Sequence, residues 1–170
     1  MQSTDRRNRI ADILSQSDKP ISATRLASKF DVSRQIIVGD IALLRASGID
    51  IDATPRGYMM KTDDHEGYTG TIACRHSSDA MHDELYTIVD LGGRVLDVIV
   101  DHAIYGQLTG RLELASRYDV DQFVRKVDRE NAQPLSRITD GVHLHTVNCA
   151  DKTIFDRIIE ALQEKGYLYD

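Results

Sequence analysis

Residues 31–48, Asp31-Val-Ser-Arg-Gln-Ile-Ile-Val-Gly-Asp-Ile-Ala-Leu-Leu-Arg-Ala-Ser-Gly48, constrain the fold more than any other stretch of the chain. Ser33 is a good helix N-cap, because its hydroxyl can accept from a free backbone N–H of the first turn. Ile37, Ile41 and Leu44 recur at i, i+4 and i+7, which marks one apolar helix face. Arg34, Gln35 and Val38 fall on the other side, near the helix start, and Gly48 stands where a left-handed C-cap is wanted. Such a helix buries one face and offers Arg34 and Gln35 to base edges in a major groove, with Ser33 and Val38 beside them as further DNA-binding candidates. An ordinary amphipathic helix with solvated polar residues would look the same, so the flanks must decide.

The flanks favour DNA. Asp5 to Gln16 reads as a first helix with Ile10, Ile13 and Leu14 inward, and Lys19-Pro20 breaks it. Ser22 caps a second helix, Ala23 to Phe30, and only Asp31-Val32 separates it from the Ser33 cap. Two short helices joined so tightly form the helix-turn-helix pattern. Downstream, Ile49-Asp-Ile-Asp alternates like a strand, Thr54-Pro-Arg-Gly57 is a turn, and Tyr58-Met-Met is a second strand. The hairpin makes a winged helix, with Arg56 at its tip placed to meet a phosphate or the minor groove. Leu26-Ala-Ser-Lys-Phe, Val32-Ser-Arg-Gln, Asp40-Ile-Ala-Leu-Leu-Arg and Arg56-Gly-Tyr58 resemble the winged-helix module of bacterial biotin-repressor-like and sugar- or vitamin-responsive regulators. Gly39 departs from that module, where a longer polar residue would be expected on the exposed face.

Net charge is −6, which looks wrong for a DNA binder until it is divided. Residues 1–60 carry nine Lys and Arg against seven Asp and Glu, and residues 61–170 carry twelve against twenty, so the two halves are +2 and −8. That asymmetry supports a boundary at the polar stretch 61–67, giving a winged-helix domain over 1–60 and a second domain over 68–170. His65, in the linker, reads as solvated. No apolar run approaches the length of a membrane span and no signal peptide is visible, so a cytoplasmic chain with reduced Cys74 and Cys149 is expected.

The second domain alternates between the two periods. Tyr68 to His76 reads as a strand, Ser78 or Asp79 caps a helix to about Asp90, and Val95 to Asp101 and Gly106 to Leu114 are strands. Asp119 or Asp121 starts a helix, Gly141 to Cys149 is the last strand, and Asp151 opens the last helix. The order is βαββαβα, and the fold class is α+β. In common folds of this order the first and last strands pair antiparallel, which brings His76 toward His143 and His145. The last two are two apart in a strand and point to one face. With His76, and with Glu84 within the arc of Ala80, Ile88 and Leu91, they form a plausible metal set. His82, at the edge of that arc, is weaker, and a pair of partly exposed strand histidines is the plain alternative. Cys74 and Cys149 share strand parity with His76 and His145, yet packing is the favoured role for free cysteines.

His76 with Glu84, Asp101-His102-Ala-Ile-Tyr-Gly106, and Gly141-Val-His-Leu-His145 resemble the three-histidine (3H) domain. In bacteria it is fused to this kind of winged helix in nicotinate-responsive transcriptional repressors. The resemblance implies a second domain like the histidine-containing phosphocarrier protein, a homodimer, operator DNA as partner and nicotinic acid as co-repressor of genes for NAD synthesis or niacin uptake. It carries metal ligation to His76, Glu84, His143 and His145, with effector contacts at His76, His145 and His102. His102 reads equally well as a strand-end histidine without a ligand. The donors suit Zn, Ni, Fe or Co alike. A metal-responsive regulator is the second reading. A metal-dependent enzyme is a distant third, for no nucleophile triad, phosphate loop or His-Glu-x-x-His helix is present.

Overall fold

A computed structural model of the chain, describing residues 2–62 and 65–169, divides into two units, Met1–Asp63 and Asp64–Asp170. The boundary stretch read at 61–67 lies partly outside the described residues, at positions 63 and 64. In the first unit, α1 (Ser3–Ser15), α2 (Ala23–Phe30) and α3 (Arg34–Ala46) form where caps and apolar spacing place them. The Ser22 and Ser33 hydroxyls accept from the N–H groups of Arg25 and Ile36, at 3.1 and 3.3 Å. Asp31 takes the left-handed conformation, φ 53°, which turns the chain sharply between α2 and α3. Ile10, Leu14, Leu26, Ile37 and Ile41 are sealed in the core these helices share.

One buried residue of α3 is charged. Asp40 accepts from Arg6 Nε at 2.6 Å and Nη2 at 3.2 Å, so α1 supplies the countercharge that a buried carboxylate requires. The wing is β1 (Ile51–Thr54) paired with β2 (Gly57–Met60). It begins two residues later than the alternation at Ile49 suggests, because the Ile49 N–H still closes α3 on the Leu44 carbonyl. The segment after Pro20 adds to the wing, since Ile21 and Tyr58 exchange both backbone hydrogen bonds, at 2.8 and 2.9 Å. Gly57 is required there. Its φ is +134°, and a Cβ would sit 2.4 Å from the Ile21 carbonyl.

The second unit runs β3 (Tyr68–Arg75), a 3₁₀ turn (Ser78–Ala80), α4 (Met81–Asp90), β4 (Arg94–His102), β5 (Gly106–Leu114), α5 (Arg117–Arg129), a second 3₁₀ turn (Leu135–Thr139), β6 (Val142–Cys149) and α6 (Lys152–Glu164). The expected βαββαβα order is observed. The sheet order is β3-β6-β4-β5, all antiparallel, so the first and last strands pair as expected. Ile72, Cys74, Val95, Leu112, Leu114 and Val147 meet Leu85, Ile88, Phe155, Ile158 and Leu162 of the helices in one core. Among the described residues, no helix is long and apolar enough to cross a membrane.

Local features differ from expectation or go beyond it. Neither Ser78 nor Asp79 caps α4, which follows a 3₁₀ turn and has no side-chain cap. Helix α5 starts before Asp119, because Ser116 accepts from the Asp119 N–H at 3.2 Å while the Asp119 carboxylate accepts from the Ala115 N–H at 2.9 Å. After Gly166 the chain returns to the sheet, with Leu168 bridging Cys74 and the Arg75 N–H donating to the Tyr167 carbonyl at 2.8 Å. His65, expected to be solvated, is half-buried, and its Nε2 is shielded without a hydrogen-bond partner among the described residues.

Candidate metal centre and nucleic-acid interface

The β3–β6 register sets Cys74 opposite His143, which leaves His76 just past the strand end beside the same residue. Strand parity then turns His143 and His145 to the helix-covered face, where both are buried. Glu84, in the first turn of α4, is 1% exposed and meets all three rings. Its oxygens lie 2.7 Å from His76 Nε2, 2.9 Å from His143 Nε2 and 3.3 Å from His145 Nε2.

The outward nitrogens decide what this cluster can hold. His76, His143 and His145 each place Nδ1 on a backbone carbonyl, of Ser77 at 2.8 Å, Gly141 at 2.8 Å and Asp97 at 2.7 Å. A carbonyl only accepts, so each Nδ1 carries a proton, and Nε2 is the atom each ring turns to the centre, donating to Glu84 while protonated and offering a lone pair once an ion replaces that proton. The three Nε2 atoms face one carboxylate, where a cation can take the place of the ring protons. His76 Nε2 and Glu84 Oε2 are buried without a hydrogen-bond partner among the described residues, although they approach each other. Imidazoles anchored through their second nitrogen, with a carboxylate, form a donor set that fits a divalent transition metal.

The backbone builds the anchors. A bulge in β4 between Val95 and Ile99 brings the Asp97 carbonyl to His145, and the Asp97 carboxylate accepts from the Thr146 N–H at 2.9 Å. Gly141, at φ +86°, lets β6 begin against His76, where a Cβ would lie 2.3 Å from the His76 carbonyl oxygen. The Tyr167 ring packs on His76 at 5.3 Å.

Electrostatics in the ion-free cluster follow from burial and proximity. Burial alone would push the Glu84 carboxyl up, but the imidazoles, His145 foremost, hold it well below the usual carboxylate range. Burial opposes the charged forms of His145 and His76, and Glu84 outweighs it, raising both. Burial, then the Glu84 charge, pushes the Cys74 thiol up, and the thiol is hydrogen-bonded to Glu84.

The cluster forms one wall of a cavity of about 270 Å³ whose other walls include Met81, Leu85, Val98, Leu112, Phe123 and Leu135. Segment 132–136, which shows no apolar periodicity in the sequence, closes it through Gln133, Pro134, Leu135 and Ser136. A second, polar cavity of about 560 Å³ shares His76 and Ser136 with the first and adds Arg75, Ser77, Ser78 and Arg137. His102 is not brought to either cavity. Its Nδ1 accepts from the N–H groups of Ile104 and Tyr105, at 3.1 and 3.2 Å, so it shapes the β4–β5 turn. His82 faces outward and pairs with Asp121 at 3.0 Å.

On α3, Ser33, Arg34 and Gln35 are exposed at the helix start and Val38 is half-buried. The same face carries Ile36 and Leu43, 42% and 55% exposed, and Gly39 with open space around it. Ile36 was not singled out in the sequence, because its spacing from Ile37 hides it beside the core face. Arg56 stands in the β1–β2 turn, half-buried, its N–H donating to Thr54 Oγ1 at 3.2 Å.

Comparison with known proteins matches residues 6–59 to an HTH domain and residues 69–170 to the 3H domain. The chain belongs to the 3H-domain family. It is 39% identical over 166 residues to a protein named probable transcription repressor NiaR of Thermotoga maritima, covering 98% of this chain and 94% of that one. It is 40% identical over 167 residues to transcription repressor NadR of Bacillus subtilis, covering 96% and 93%. The chain is thus a DNA-binding transcription repressor, a regulator rather than an enzyme. The HTH match spans α1 through the wing, and the histidine cluster lies in the 3H domain.

Proposed function

We propose that this repressor takes nicotinic acid as co-repressor, through a divalent transition metal (Zn, Ni, Fe or Co) in the 3H domain, and controls genes of NAD synthesis or niacin uptake. The observation that carries the reading is the metal-type cluster set into the wall of a small, otherwise largely apolar cavity. At about 270 Å³ that cavity falls just below the usual span of ligand pockets, roughly 300–1,000 Å³, and suits a single-ring compound. The names of the two relatives, NiaR and NadR, agree with a niacin or NAD context.

His76, Glu84, His143 and His145 would hold the ion, and the bound ion would supply a Lewis-acidic anchor for a ring nitrogen or carboxylate. His76 and His145 orient the effector from the cluster side, the apolar walls take the ring face, and Arg75 and Arg137 in the adjoining polar cavity favour an acid over its amide. In the DNA-binding domain, over 1–60 and joined through 61–67 to the 3H domain over 68–170, Arg34 and Gln35 read base edges. Ser33 and Arg56 address the backbone, and Val38 with Ile36 meets thymine methyl groups. A homodimer built through the 3H domain would set two recognition helices about 34–36 Å apart, or a multiple of that, on a palindromic operator.

Calorimetric titration of nicotinic acid into metal-loaded protein, repeated after chelation, tests the reading. Binding that vanishes with the metal is the expected result, with nicotinamide binding far more weakly. Undiminished nicotinate binding after chelation would remove the metal from the reading. No binding in either state would favour the second reading, in which the ion itself is the effector, since the cluster needs no further ligand to take up a metal.

A further inference from the structure

Cys74 stands on the helix-covered face of β3, two residues before His76, and it is fully buried. Its Sγ, a carboxylate oxygen of Glu84 and a ring nitrogen of His143 all lie within 4.8 Å of one another. Metal bonds of about 2.0–2.3 Å to nitrogen, oxygen and sulfur can gather donors so spaced onto one ion with little movement. The strand cannot carry the sulfur away, because Cys74 is paired with His143 on one side and bridged by Leu168 on the other. We propose that Cys74 is a further donor of the metal cluster, so that the ion is held by nitrogen, oxygen and sulfur together.

This rests on the metal reading above and narrows it. A thiolate favours Zn and other borderline or soft ions over Mg or Mn, which three imidazoles and a carboxylate would exclude less firmly. On binding, the S–H proton leaves to solvent and the sulfur electron pair is donated to the ion, with no change of oxidation state. Cys149 provides an internal control. It lies at the opposite end of β6, with its thiol on the Tyr68 and Asp151 carbonyls at 3.8 and 3.2 Å.

The test is a cobalt(II) titration of the ion-free full chain followed by absorption spectroscopy, with equilibrium dialysis to count bound ions. The expected spectrum contains visible d–d bands together with an intense near-ultraviolet sulfur-to-cobalt charge-transfer band. C149S keeps that band, and C74S loses it while retaining the d–d bands. Bound cobalt with d–d bands and no charge-transfer band in the wild type overturns the proposal but leaves the metal reading intact. No bound cobalt by dialysis defeats both. A charge-transfer band lost in C149S would place the sulfur elsewhere and also overturn it. If C74S fails to fold, the wild-type and C149S spectra still decide.

Discussion

Glu84, His76 and His145 shift one another, and those shifts set a pH dependence for the ion-free protein. His76 and His145 are raised by Glu84, so the stability they contribute is present below about pH 6.5 and is lost as pH rises through their folded values. Glu84 is depressed, so its contribution is present above about pH 4.3 and is lost as pH falls through its folded value. The ion-free 3H domain should therefore be most stable in the mildly acidic range between. A metal replaces the protons, so the gain in Tm on adding it should grow from about pH 6 to 8. Calorimetric scans with chelator and with metal check this, and an ion-free Tm that climbs steadily over that interval would contradict it. Much of the cluster was legible in the sequence, because period-2 parity points His143 and His145 to one face and helical periodicity turns Glu84 inward. The anchors were not. They are backbone carbonyls of Ser77, Gly141 and Asp97, and side-chain identity carries no information about where a carbonyl points.

Helices α2 and α3 followed their caps to the residue, since Ser22 and Ser33 each close the first turn as their chemistry allows. Helix α5 did not, because Asp119 looks like a cap when it is the reciprocal partner of one, three residues along from Ser116. The wall at 132–136 was invisible for another reason. A 3₁₀ turn has too few residues to show a period, and Leu135 owes its place to packing over Gly110 and Val98. Within α3, Gly39 is mid-helix and has nothing within 4 Å of where a Cβ would stand. Gly39→Ala should stabilise the winged-helix unit by about 1 kcal/mol through helix propensity alone, visible as a higher denaturant midpoint at unchanged slope. A lower midpoint would mean that this backbone position needs glycine for a reason beyond the helix.

The two units divide the chemistry as they divide the charge, +2 over residues 1–60 and −8 over 61–170. An acidic 3H domain repels the duplex at large, which leaves affinity to local contacts at α3 and the wing. Arg34→Ala should then weaken specific operator binding by roughly 1–3 kcal/mol, and more for the correct operator than for a scrambled one. The heat of nicotinate binding should be unchanged. Equal loss of both in one sample would show that the units do not act separately. The anchoring of the three imidazoles has a consequence at this scale. Rings fixed by the backbone do not need an ion to stay in place, so chelation should leave an intact protein rather than an unfolded one. On the proposed function, a cell starved of the ion would hold its full complement of repressor, folded and deaf to the vitamin, and would transcribe the regulated genes as though none were present.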